Sequence, residues 1–188
     1  MDQNLIDHQN AVRILEEGWR LFQQKGYRGL TIDELCLRCG ITKPTIYYYF
    51  QDKENLFVQV LAHKLHGFHT VIDQPGPLPE RLQRVAASIL DNFEADTNSL
   101  LHDREHLKNL TNLAKVREAF HSEMFAPMIA LMQSGIQSGE LRGDDPEMLT
   151  LIFLGIVNSF IRKTAVPGTD THELSSTLTQ YFLKGAQY

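Results

Sequence analysis

The amino-acid sequence predicts an all-α protein, and three observations carry that reading. Apolar residues recur at intervals of three and four along most of the chain, as the buried face of a helix requires. Threonine or aspartate stands just ahead of these stretches and glycine just behind them, which are the residues that cap helix starts and stops. No segment alternates apolar and polar residues in the manner of a strand. With 188 residues and 43% apolar content, the chain can bury a substantial core.

Taken in order, Ile14, Leu15, Gly18, Leu21 and Phe22 form one stripe of a first helix that is expected to stop at Gly26. Thr31 opens a second, with Glu34 at capping-box spacing and Ile32, Leu35, Cys36 and Cys39 as its inner face; Gly40 ends it. Thr42 opens a third, whose early Pro44 is tolerated in a first turn, and Asp52 a fourth that runs from Lys53 to about Val71. The stretch DQPGPLP, residues 73–79, breaks the chain. Leu82, Val85, Ala86, Ile89, Leu90 and Phe93 then form an amphipathic helix. Helices are expected near 100–113 and 115–137, the second kinked at Pro127. Asp145 caps a helix that has Pro146 at its first position and reaches about Lys163, and TAVPGTDT separates it from a last helix over 171–184.

Two short capped helices on either side of a glycine turn make a helix-turn-helix, whose second helix enters the DNA major groove. Its sequence, ITKPTIYYYF, has tyrosines at 47, 48 and 49. Consecutive helical positions point about 100° apart, so the three rings cannot all be buried. Turning Ile46 inward takes Tyr49 and Phe50 with it and leaves Pro44, Tyr47 and Tyr48 facing out. A surface tyrosine offers a hydroxyl to phosphate and a ring edge to sugars and thymine methyls. The net charge of −5 argues against a nucleic-acid partner until its distribution is counted. Residues 1–53 hold seven bases and seven acids, and the remainder, with 11 bases and 16 acids, carries the whole deficit.

Through ILEEGWRLFQQKGYRGLTIDELCLRCGITKPTIYYYFQDKENLF, residues 11–61 resemble the tetracycline-repressor (TetR) family of bacterial transcription regulators. The matching features are a helix ending LF, a GY, a threonine opening the second helix, the turn and recognition helix, and K-E-x-L-F. The resemblance implies that Lys43, Pro44 and Thr45 approach base edges, that Tyr47 and Tyr48 sit against the backbone, and that Thr31, Thr42 and Lys53 bind phosphates. Lys53 would act beside the positive end of a helix dipole. A helix-turn-helix domain over 8–68, with the motif itself at 31–50, and an effector-binding and dimerisation domain over 69–188 are implied as well. Two departures stand out. The segment before the first helix is acidic where many members are basic, so no arm contact is expected. Cys36 and Cys39 replace alanines, so CLRC reads as small core packing, since zinc would need two further ligands nearby.

The family pattern makes the last two helices a four-helix bundle in a dimer, with Leu151, Gly155, Ser159, Leu178 and Phe182 at the interface. The helix from Pro146 is apolar nearly all round and so must be covered on two sides; the alternative is a fully buried helix in a monomer. A two-fold dimer suits a pseudo-palindromic operator in double-stranded DNA. Phe93, Phe125, Met128, Met132 and Phe153 are soft or aromatic candidates to line an effector pocket, with ordinary core packing as the alternative. HDREH, residues 102–106, resembles the H-E-x-x-H of zinc peptidases, but Asp103 is a methylene short of glutamate and no third ligand is evident. A metal sensor using His102 and His106 with His63, His66 or His69 is thus an alternative reading, and a metal-dependent enzyme a more remote one. No catalytic residue, cofactor or metal is expected. MDQNLIDHQN fits no secretory signal, the apolar run 148–161 is too short to span a membrane, and a cytoplasmic location is expected. The sequence therefore reads as a homodimeric transcription regulator, a repressor released from its operator by a small-molecule effector.

Overall fold

A computed structural model of the protein describes residues 3–93, 104–164, 166 and 168–186. Among these residues every regular element is helical, and they fall into two compact units, one of 3–64 with 104–119, the other of 65–93 with 120–186.

In the first unit, helix α1 (Gln3–Gly29) is broken at Gly26, whose φ of 67° and ψ of 175° leave the helical region. Only glycine takes such a backbone cheaply, so the expected stop is a kink followed by one more short turn. Helix α2 (Ile32–Cys39) starts at Thr31, whose hydroxyl accepts the Glu34 N–H at 3.3 Å. The reciprocal half of the capping box is replaced by an ion pair, because the Glu34 carboxylate holds Lys25 Nζ at 2.7 Å. Gly40 closes α2 in the left-handed region at φ 62°, and the Ile41 N–H reaches back to the Cys36 carbonyl at 3.1 Å. Helix α3 (Lys43–Phe50) follows an extended Thr42, but the Thr42 hydroxyl meets the Thr45 hydroxyl at 2.9 Å and caps no backbone N–H. Helix α4 (Lys53–Ile72) is capped as the sequence predicts, with Asp52 Oδ1 accepting the Asn55 N–H at 2.8 Å.

Ile14, Leu21, Phe22, Leu35, Ile46, Phe50, Leu56 and Phe57 are each at most 2% exposed and form the core of this unit. Full burial of each such side chain contributes roughly 1.5–3 kcal/mol. Cys39 is buried with them, and that burial raises its thiol pKa to about 11, so it packs as a neutral group. Cys36, expected on the same face, is only half-buried.

The second unit contains helix α5 (Leu78–Asn92), which buries Leu78, Leu82, Val85, Ala86, Ile89 and Leu90. A break near residue 114 was the sequence expectation, yet helix runs without interruption from 110 to 137, as α6 (Leu110–Phe120), a π turn (His121–Phe125) and α7 (Ala126–Gln137). Its start is fixed by Asn109, whose Oδ1 and main-chain oxygen accept the N–H groups of Thr111 and Leu113. The expected helix over 100–113 is thus absent at 107–109, while 94–103 lie outside the described residues. Pro127 brings no N–H, and the Ala126 N–H bonds to the His121 carbonyl five residues back, so the widened turn takes up the proline. Helix α8 (Pro146–Phe160) is capped by Asp145 and ends in a 3₁₀ turn (Ile161–Lys163); helix α9 (Thr171–Ala186) is capped by Asp170. Helix α9 packs on α5 and α8, with Phe182 edge-on to Phe153 at 5.2 Å.

Candidate nucleic-acid interface

Helix α3 is anchored by Ile46 and Phe50, 1% and 2% exposed, and this fixes what its other face offers. Tyr49 is half-buried, while Tyr47 and Tyr48 are 42% and 77% exposed, as the rotation about Ile46 requires. Thr42, Lys43 and Pro44 are also exposed, and Thr45 is half-buried. The result is a strip with one cation, hydroxyl groups and two aromatic edges, and no carboxylate of its own helix. That composition suits phosphate oxygens and base edges together.

The partners of two lysines, one on this strip and one at the start of α4, were not visible in the sequence. Lys43 Nζ lies 2.8 and 3.0 Å from the two carboxylate oxygens of Asp33 on α2. The hydrogen bond and the charge of Asp33 raise the pKa of this lysine, so the ammonium is firmly protonated. Lys53 Nζ donates to the Leu30 carbonyl at 2.6 Å and sits 4.8 Å from the centre of the Tyr27 ring. Burial, reinforced by Glu54 and Asp52, pushes the Tyr27 hydroxyl up to about 12, so it stays a neutral phenol. Thr31 is exposed; its oxygen accepts the cap bond, which leaves its O–H to act as donor.

In the second unit four of the five effector candidates are buried. Phe93, Met128, Met132 and Phe153 are 3% exposed or less, and Phe125 is half-buried. An open cleft of about 390 Å³ lies instead among His69, Asp73, Arg81, Ser122, Pro127 and Ser134. Beside it, Glu123 Oε2 stands 3.1 Å from Nδ1 of both His66 and His69, and His69 Nε2 lies 3.3 Å from Asp73. The bond from His66, followed by that from His69, outweighs desolvation and holds Glu123 below the usual carboxylate range. His63 bonds to Glu16 at 3.0 Å and the His106 ring stacks on Tyr27; His102 and Asp103 lie outside the described residues. Among the described residues no three His, Cys, Asp or Glu side chains are arranged to hold a metal ion.

The interface residues chosen from the sequence divide between two environments. Leu151, Gly155 and Ser159 lie on an exposed strip of α8 with Met148 and Ile152, which are 57% and 47% exposed. Leu178 and Phe182 are 4% and 3% exposed within the chain itself and face inward; Tyr181 is the large exposed side chain of that helix.

The sequence pattern of bacterial regulatory proteins of the tetR family matches residues 14–60. The uncharacterised HTH-type transcriptional regulator YhgD of Bacillus subtilis is 24% identical over 180 residues, covering 92% of this chain and 94% of YhgD. Two solved structures share the fold. FadR of Bacillus subtilis, in complex with stearoyl-CoA, matches with a TM-score of 0.72 and 19% identity over 94% of this chain and 99% of its own. AibR, in complex with isovaleryl coenzyme A and operator DNA, matches with a TM-score of 0.68 and 21% identity over 94% and 97%. An anchored recognition helix within the matched segment, in a chain that aligns with a regulator over nearly its whole length, leads to one conclusion: this is a DNA-binding transcription regulator whose residues 14–60 match the tetR family.

Proposed function

We propose that this regulator is a repressor that binds a pseudo-palindromic operator as a homodimer and leaves it when a small-molecule effector occupies the second unit. The observation that carries the reading is the exposed Lys43, Pro44, Tyr47 and Tyr48 strip on a helix locked by Ile46 and Phe50. Residues 8–68 act as the DNA-binding domain and 69–188 as the effector and dimerisation domain. Operator DNA in the AibR structure and acyl-CoA ligands in AibR and FadR support the two partner classes. Dimerisation is supported by the apolar strip of α8. A Cβ built on Gly155 meets nothing within 4 Å, so none of the described residues requires a glycine there. Glycine inside a helix costs about 1 kcal/mol relative to alanine, and close approach of a second copy gives that cost a purpose. No described helix is long and apolar enough to cross a membrane. A regulator that meets its operator in a bacterial cell acts in the cytoplasm, and we assign this one no enzymatic role.

The test is a binding-site selection from randomised duplexes, followed by calorimetric titration of acyl-CoA thioesters, stearoyl and isovaleryl, with and without the selected duplex. Linkage requires that operator lower ligand affinity by the factor by which ligand lowers operator affinity, typically about 5 to 150. If each thioester that binds does so with equal affinity in both titrations, release by this ligand class fails and a DNA-binding regulator remains.

A further inference from the structure

We propose that Asp33 is a specificity-determining residue of the DNA interface: it holds the Lys43 ammonium at the head of the recognition helix and suppresses its attraction to phosphate while leaving it able to read a base. The inference rests on the DNA-binding reading above. Asp33 lies in the first turn of α2 and Lys43 is the first residue of α3, so the pair bridges the two helices of the motif across the Gly40 turn. One ammonium meets both carboxylate oxygens, at 2.8 and 3.0 Å, although the side chains are 75% and 46% exposed.

A free lysine at this place would be drawn to any phosphate within reach, on every sequence alike, and would add to non-specific binding through counterion release. With Asp33 in place, a phosphate that approaches Lys43 must either displace a carboxylate or lie close to its negative charge. Both are unfavourable, and both are independent of sequence. A guanine edge differs, because O6 and N7 are acceptors without net charge. An ammonium has three N–H donors, so it can keep Asp33 and still bond to a base. The pair therefore penalises the wrong contact more than the right one, which is how a repulsive element produces specificity. An exposed ion pair of this kind contributes little to folding, so it can be altered in an intact protein.

The experiment compares wild type, Asp33→Asn, Asp33→Glu, Lys43→Gln and the Asp33→Asn, Lys43→Gln double variant. Each full-length chain is titrated against a duplex recovered by selection and a scrambled duplex of the same length, across a salt series. Asp33→Asn is expected to bind the scrambled duplex several-fold more tightly, with the log affinity against log salt slope steeper by about 0.9, one phosphate's worth. Its ratio of specific to non-specific affinity falls, whereas Asp33→Glu keeps the ratio. In the Lys43→Gln background the same Asp33→Asn change has little effect, which separates action through Lys43 from the general gain of removing an acid. An unchanged slope and ratio in Asp33→Asn, or an equal change in both backgrounds, overturns the proposal. A wild type that does not distinguish the two duplexes overturns the DNA-reading function instead.

Discussion

Lys53 shows how a motif position can be identified from sequence while its physical setting is not. The K-E-x-L-F match points to a phosphate contact, but the bond to the Leu30 carbonyl and the seat over Tyr27 are produced by a chain crossing 23 residues away in sequence. The bond to Leu30 therefore gives the lysine a structural role beside the phosphate contact that the match implies. Lys53→Ala is expected to weaken binding to all duplexes alike and to reduce the magnitude of the salt slope by about 0.9. It should also lower stability by about 1 kcal/mol through the lost bond at Leu30, read by thermal or urea unfolding. A variant that unfolds normally with an unchanged slope would count against the phosphate role. Cys39 was legible as a small core residue. Periodicity placed Cys36 and Cys39 together, but only Cys39 is sealed. The Cys36→Ala, Cys39→Ala variant should keep its fold and DNA affinity, and chelators should leave the wild type unaffected; loss of operator binding with EDTA would contradict the packing role.

At the scale of elements, helix starts were readable where a short polar side chain closes on its own backbone, as at Thr31, Asp52 and Asp145. They were not readable where the partner comes from far along the chain. Glu54 accepts the N–H groups of Lys108 and Asn109 at 2.9 and 3.2 Å and holds the approach to α6, and no local pattern announces this. The π turn was missed for a related reason: Pro127 predicts a disturbance, but whether the helix kinks or widens depends on packing. Glu123 sits in that turn and ties it to α4 through His66 and His69. Its pKa is lowered on folding, so its contribution to stability is fully present above the usual carboxylate range and is lost as pH falls through the lowered value. Unfolding midpoints measured from about pH 6 down to about pH 3 should therefore fall less steeply for Glu123→Gln than for the wild type. Parallel curves would mean that the two histidine bonds do not persist in solution.

For the molecule as a whole, the sequence argument that a helix apolar all round must be covered twice finds one cover inside the chain. The buried side of α8 carries Leu149, Phe153 and Val157, and its other side leaves Met148, Leu151 and Ile152 exposed. Leu178 and Phe182, expected at a dimer interface, are 4% and 3% exposed within the chain, since an amphipathic pattern shows which residues share a face, not which face meets α5. This contrast supplies a test of assembly. In a two-fold interface a substituted residue appears twice, so Leu151→Glu would place two carboxylates in one apolar contact with no partner for either. Leu151 is 54% exposed in the single chain, so the variant should fold with a normal helical spectrum and sediment as a 21.5 kDa species, against twice that for the wild type. Affinity for a half-site duplex should persist while the gain from the second half-site disappears. Leu178→Glu, at a residue only 4% exposed, should instead unfold the second unit. If Leu151→Glu remains a dimer, the contact between copies lies elsewhere than on α8, and the spacing of the two recognition helices must be set by another surface.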